Sequence, residues 1–181
     1  IIKHICQLSA IDYAETAVGF KYFAPYFEKA SLAKSITLGV ESSGGFSTSL
    51  HTFEKCGFFP ILCLLGILES TGQTLDTLRE NLHEKYGKRY FVEHAIRFDH
   101  TKKTLIETFL NSATTHSLNS LELNINTLNQ TDGLKIVCNN DNWVLCRLSG
   151  TEPVARLYAE SDSPTTSKEL INKVEILLKS L

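Results

Sequence analysis

The sequence predicts an α/β unit over residues 1–99 followed by a small α+β domain over residues 100–181, an antiparallel sheet flanked by helices. Two observations predict it. In the first stretch, helical periodicity of 3.6 alternates with short apolar runs bounded by glycine. In the second, four strand-like runs separated by turn residues lie between a short helix and a long amphipathic one. At 181 residues with 43% apolar side chains, the chain has enough material for a core.

Taken in order, Ile1, Ile5 and Leu8 share a helical face with Ile2 and Cys6 beside them, the last turns of a helix. A short extended piece is expected near Tyr13 to Thr16. From Val18 to Lys29 the aromatics Tyr22, Phe23, Tyr26 and Phe27 recur at helical spacing and read as core. Pro25 belongs to a first turn or marks a kink. Ile36 to Val40 reads as a strand opening into the Ser42–Gly45 loop. Phe58 to Glu69 is apolar all round and reads as a buried helix. A second helix runs from a Thr74 cap to Tyr86, with Leu75, Leu78 and Leu82 on one face and Gly87 as its stop. Tyr90 to Phe98 is expected as the strand that completes the α/β unit.

Beyond residue 100, Leu105, Ile106, Phe109 and Leu110 mark a short helix, and Asn111 to Ser120 is mostly small and polar. Strands are expected at Leu121 to Ile125, Leu134 to Cys138, Trp143 to Arg147 and Ala155 to Glu160. Asn139-Asn140-Asp141-Asn142 has hairpin turn chemistry. The last helix carries Leu170, Ile171, Val174, Leu177, Leu178 and Leu181, opened by a Thr166-x-x-Glu169 capping box.

A net charge of -2 and a pI of about 6.3 give no overall basic surface, so a nucleic-acid partner is not expected. The five cysteines form no CxxC pair and read as buried reduced thiols of a cytoplasmic protein. The apolar run from Phe58 to Leu68 is too short to span a bilayer, and no membrane partner is expected. The N-terminus has no charged lead-in or small-residue cleavage site, which argues against a signal peptide. The chain has no methionine, so a fragment or processed piece is expected.

Two stretches carry chemistry. Arg147-Leu-Ser-Gly-Thr-Glu-Pro-Val-Ala-Arg156 puts two guanidinium groups, the hydroxyls of Ser149 and Thr151, and Gly150 into one turn. Arginine presents a planar fork matched to phosphate oxygens, and a glycine lets backbone N–H groups approach the same anion. An ordinary polar turn, its arginines paired with Glu152 or Glu160, is the other reading. Glu41-Ser42-Ser43-Gly44-Gly45 places a carboxylate and a hydroxyl two residues apart on one side of a loop, suited to a sugar diol. A capped turn is the bland alternative.

The Arg147 string, with its second arginine three residues past the proline, resembles the phosphate-binding loop of the α-D-phosphohexomutases. The Glu41 stretch is similar to that family's sugar-binding loop, with Val40 replacing the usual glycine. Thr16-Ala17-Val18-Gly19-Phe20-Lys21 resembles a family segment whose lysine faces the active-site cleft, with Ala17 in place of proline. His51-Thr-Phe-Glu-Lys-Cys-Gly57 resembles another, in which an aspartate stands where this chain has Cys56. The resemblance runs from about Glu15 to the end.

It implies that the chain is the latter part of a three-layer third domain and all of a fourth, TATA-box-binding-protein-like domain. It also implies a phosphosugar ligand held by Lys21, Glu41, Ser43, His51, Arg147, Ser149, Gly150, Thr151 and Arg156. The complete enzyme would interconvert hexose 1- and 6-phosphates through a hexose 1,6-bisphosphate intermediate. The family's donor phosphoserine and its Asp-x-Asp-x-Asp loop for Mg²⁺ do not occur in this sequence. Both would belong to N-terminal domains of the same polypeptide, leaving this portion unable to move a phosphate. A non-catalytic phosphosugar-binding module is the alternative.

Overall fold

The computed structural model describes all of residues 1–181, which form two compact units, Cys6–Lys85 and Tyr86–Leu181 together with Ile1–Ile5. The division falls ahead of residue 99, so the strand expected to complete the first unit belongs to the second.

Helix α1 (Ile2–Leu8), which straddles the division between the units, leads into a segment without regular secondary structure that includes the stretch expected to be extended near Tyr13 to Thr16. A 3-10 turn at Phe20–Tyr22 precedes α2 (Ala24–Leu32), with Pro25 in its first turn, where a missing N–H costs no helical hydrogen bond. The expected aromatic stripe is core in part. Phe27 is fully buried and packs against Phe53 at 5.6 Å between ring centroids, while Tyr22 and Tyr26 are exposed.

Strands β1 (Leu38–Val40) and β2 (Phe46–Thr48) form an antiparallel hairpin with Val40 opposite Phe46. Gly39 lets α2 close on that hairpin, since a Cβ there would stand 2.7 Å from ring atoms of both Phe23 and Phe27.

Helix α3 (Phe58–Thr71) ends at Gly72, whose φ of 64° allows the left-handed cap. The burial expected of it is not found: none of its residues is buried, and Phe58 is 81% exposed. Apolar residues all round presuppose cover that this chain does not supply. In α4 (Leu75–Tyr86), Thr74 Oγ1 accepts from the Thr77 N–H at 3.2 Å, the expected cap.

The C-terminal unit is built on a five-stranded antiparallel sheet in the order β3-β7-β6-β5-β4. Its strands are β3 (Tyr90–Arg97), β4 (Ile125–Asn129), β5 (Leu134–Cys138), β6 (Trp143–Leu148) and β7 (Val154–Ser161). The strand expected at Leu121 starts later, because Leu121 is drawn into the core at the end of a 3-10 turn, His116–Leu121.

Alternation along the central strands sends Ile136, Val144, Cys146, Leu157 and Ala159 to one face. There they form one core with α5 (Lys103–Ser112) and α6 (Pro164–Ser180), through Ile106, Leu110, Leu170, Ile171, Val174 and Leu178. Helix α6 begins earlier than the capping box suggests. Ser163 is the N-cap, accepting from the Thr166 N–H at 3.0 Å, and Pro164 occupies the first turn.

All five cysteines are free, and only Cys138 and Cys146 are buried, so the expectation of buried thiols holds for two. Burial pushes the Cys146 thiol up to about 12 and raises that of Cys138. No single helix is long and apolar enough to cross a membrane.

Candidate functional site

In the C-terminal unit the register of the two central strands sets the site. Arg147 on β6 stands directly opposite Arg156 on β7, on the sheet face away from the helices, where Trp143, Leu145 and Tyr158 also lie. Like charges facing one another across a strand pair are unfavourable unless something negative joins them. Two carboxylates do so. Asp132 Oδ2 lies 3.0 Å from Arg147 Nε, and Glu93 Oε1 lies 3.8 Å from Arg156 Nη1. The second pair is about half exposed and long, worth little. In the first, the buried Nε–H is not directed at the oxygen, so the contact is an ion pair and not a hydrogen bond. The terminal amino groups of Arg147 make no hydrogen bond within the chain.

The loop that follows is pinned at its base. Ser149 N–H donates to Val154 O at 2.8 Å, and Glu152 N–H to Ser149 Oγ at 3.3 Å. Ser149 Oγ and Thr151 Oγ1 are 3.5 Å apart. The backbone N–H groups of Gly150 and Thr151 take no partner within the chain. Gly150 has ordinary φ, and a Cβ there would meet nothing within 4 Å, so the fold itself does not require glycine at this position. Close approach of a ligand to the backbone would require it. Lys103 Nζ donates to Gly150 O at 3.4 Å, adding a cation that the sequence reading missed because it reads as an ordinary residue of a helix first turn.

In the N-terminal unit the β1–β2 turn gathers a second group. Glu41 N–H donates to Gly45 O at 2.8 Å and Gly44, at φ 86°, donates to Glu41 O at 3.0 Å, closing a tight loop. Glu41 and Ser43, both expected to face a sugar diol, bond to each other within the turn: Ser43 Oγ donates to Glu41 Oε2 at 3.3 Å. Lys55 Nζ reaches the same oxygen at 3.2 Å. A Cβ on Gly45 would stand 2.7 Å from that oxygen, so glycine lets the carboxylate fold across the turn. Ser43–Gly45, Phe46 and Lys55–Gly57 line an open cleft of about 290 Å³. Lys55 lies within the His51 stretch, and its tie to Glu41 joins segments fourteen residues apart, which local pattern does not reveal.

Lys21 and His51 are not drawn into that group. Lys21 Nζ sits 5.0 Å over the Tyr22 ring, and His51 stacks on Phe59 at 4.7 Å between centroids.

Comparison with known families turns this geometry into membership. Two profiles match, "Phosphoglucomutase/phosphomannomutase, alpha/beta/alpha domain III" over residues 1–86 and "Phosphoglucomutase/phosphomannomutase, C-terminal domain" over residues 110–176. The chain belongs to the phosphoglucomutase/phosphomannomutase family, of which it carries domain III and C-terminal domain sequence. Among its relatives is a phosphoglucosamine/phosphogalactosamine mutase of Sulfurisphaera tokodaii, 24% identical over 78% of this chain and 29% of that protein. Another is a phosphoglucomutase/phosphomannomutase of Thermococcus kodakarensis, 24% identical over 94% of this chain and 34% of that protein. The chain thus spans about a third of these relatives' length. A solved phosphoglucomutase/phosphomannomutase family protein from Burkholderia thailandensis shares the fold, with a TM-score of 0.57 at 20% identity over 86% of this chain and 30% of that one.

Proposed function

We propose that the chain is the ligand-recognising C-terminal portion of a phosphohexomutase, one that interconverts hexose 1- and 6-phosphates through a phosphoserine carried elsewhere in the polypeptide. The Arg147 loop takes a phosphate monoester. Arg147 and Arg156 supply charge, and Ser149, Thr151 and the N–H groups of Gly150 and Thr151 supply further donors. The Glu41 turn reads hydroxyls: Oε2 is occupied by Ser43 and Lys55, and Oε1 remains for a sugar O–H. Lys21 and His51 are assigned to the same phosphosugar on the strength of the family resemblance alone.

No group of three or more His, Cys, Asp or Glu side chains converges here to hold a metal. What these groups contribute is binding energy away from the reacting atoms, which accelerates a reaction when it holds the substrate in a productive pose.

The observation that carries the reading is the facing pair of Arg147 and Arg156 beside two unbonded N–H groups. Glucose 1-phosphate titrated into the chain and followed by NMR is expected to shift the amides of Gly150 and Thr151, with no 6-phosphate formed. In the complete polypeptide, Arg147→Ala is expected to raise KM and lower kcat; unaltered kinetics would remove this loop from the reaction.

A further inference from the structure

We infer that Asp132 is a positioning residue for the phosphate loop: it holds the inner edge of the Arg147 guanidinium, leaving the two terminal amino groups to grip phosphate. The inference rests on the reading of Arg147 as a phosphate ligand and adds a residue that reading did not contain.

Three observations carry it. First, the ion pair is recorded at Nε, 3.0 Å from Oδ2, and the terminal amino groups make no hydrogen bond in the chain. Nε is buried while the Arg147 side chain keeps 28% exposure, so the accessible part of the residue lies elsewhere on it. Second, Asp132 and Arg156 flank Arg147 from opposite sides. The sheet runs β5-β6-β7, Asp132 lies just before β5, and Arg156 is on β7. A carboxylate on the β5 side opposes the repulsion that would otherwise push the Arg147 guanidinium off its position opposite Arg156.

Third, the turn bearing Asp132 is built tightly onto β6. Gly133, at φ 85°, lies so close that a Cβ would stand 2.3 Å from Cys146 O and 3.0 Å from Arg147 Cα. That spacing fixes the distance from which Asp132 acts, whereas a carboxylate on a loose loop would not hold an arginine in one rotamer. Grip of phosphate by the terminal amino groups depends on where the guanidinium stands, so a partner that restrains its position through charge contributes without touching the ligand.

The test is titration of the chain with inorganic phosphate, read from the amide shifts of Gly150 and Thr151. Arg147→Ala is expected to abolish binding, and Asp132→Asn to weaken it about tenfold, equivalent to about 1.4 kcal/mol. Asp132→Glu, which keeps the charge on a longer stem, is expected to recover part of the loss. In Arg147→Lys the single ammonium can face Asp132 or the phosphate but not both, so adding Asp132→Asn should not weaken binding, whereas a structural role would show the same loss in both backgrounds.

Equal or tighter binding by Asp132→Asn would show the carboxylate to be a competitor of the anion and overturn the inference, as would an undiminished effect in the lysine background. Binding unaffected by Arg147→Ala would remove the phosphate reading itself, a distinguishable failure. If Asp132→Asn loses the native amide spectrum, the glutamate variant decides: affinity near that of the parent supports the role, and no recovery counts against it.

Discussion

Gly133 shows how much a single backbone position can hold. It combines left-handed φ with an approach to the β6 backbone that leaves no room for a methyl group. Gly133→Ala therefore incurs conformational strain together with a backbone displacement, and is expected to destabilise the C-terminal unit by roughly 2–4 kcal/mol. The denaturation midpoint measures it; a value within about 0.5 kcal/mol of the parent would show the turn to be adaptable. Glu175 makes a different prediction. The hydrogen bond from Lys179 at 2.6 Å, and then the charges of Lys179 and His94, hold its carboxyl below the ordinary 4.5. A depressed folded-state value means the contribution is present above about pH 4.5 and is lost as pH falls through the lower folded value. Glu175→Gln should flatten the acid limb of the stability profile in that window, and an unchanged slope would contradict it. At this scale the sequence was legible where chemistry is local. Ser149, Thr151 and the two arginines stand in one string, and Glu41 and Ser43 in another. Asp132, Lys55 and Lys103 were not, because their partners are set by strand register and turn packing across sequence distance.

Among the elements, most were readable from periodicity, since alternation in β5, β6 and β7 and the apolar stripe of α6 each match one buried face. The misplacements have physical causes. Leu121 is apolar for a 3-10 turn that enters the core, not for a strand, and β3 finds its partner in β7, some sixty residues later in the chain. The α6 cap was placed late because two hydroxyls compete there, and Ser163 precedes a proline suited to the first helical turn. Ser163→Ala is expected to cost about 1 kcal/mol, read from thermal or denaturant unfolding. Helix α3 behaves differently from all of these. Leu62 and Leu65 are more than half exposed, so substituting either by Glu should leave the unfolding midpoint within about 0.5 kcal/mol. The same change should reduce self-association in sedimentation, since exposed contiguous apolar surface promotes sticking. Lower stability without a change in association would mean that the face is already covered.

For the molecule as a whole, the two units differ in what they bury. The C-terminal one has a continuous core of sheet and two helices, whereas the buried apolar residues of the N-terminal one are Phe20, Phe27 and Ala30. Hydrogen exchange should accordingly be slowest in β5, β6, β7 and α6 and fast in α3 and α4, whose residues are all at least partly exposed. Uniform protection across both units would show that they open together.

Arg147 and Arg156 stand level on neighbouring strands, so the phosphate loop proposed above would discriminate by ionic valence. Asp132 and Glu93 offset part of the two charges, and a dianion would add more attraction to the pair than a monoanion. Since a phosphate monoester sheds its second proton near pH 6, retention of the ligand is expected to strengthen from about pH 5 to 7 through the guest's own ionisation. A methyl phosphodiester, which never acquires that second charge, should be refused at either pH.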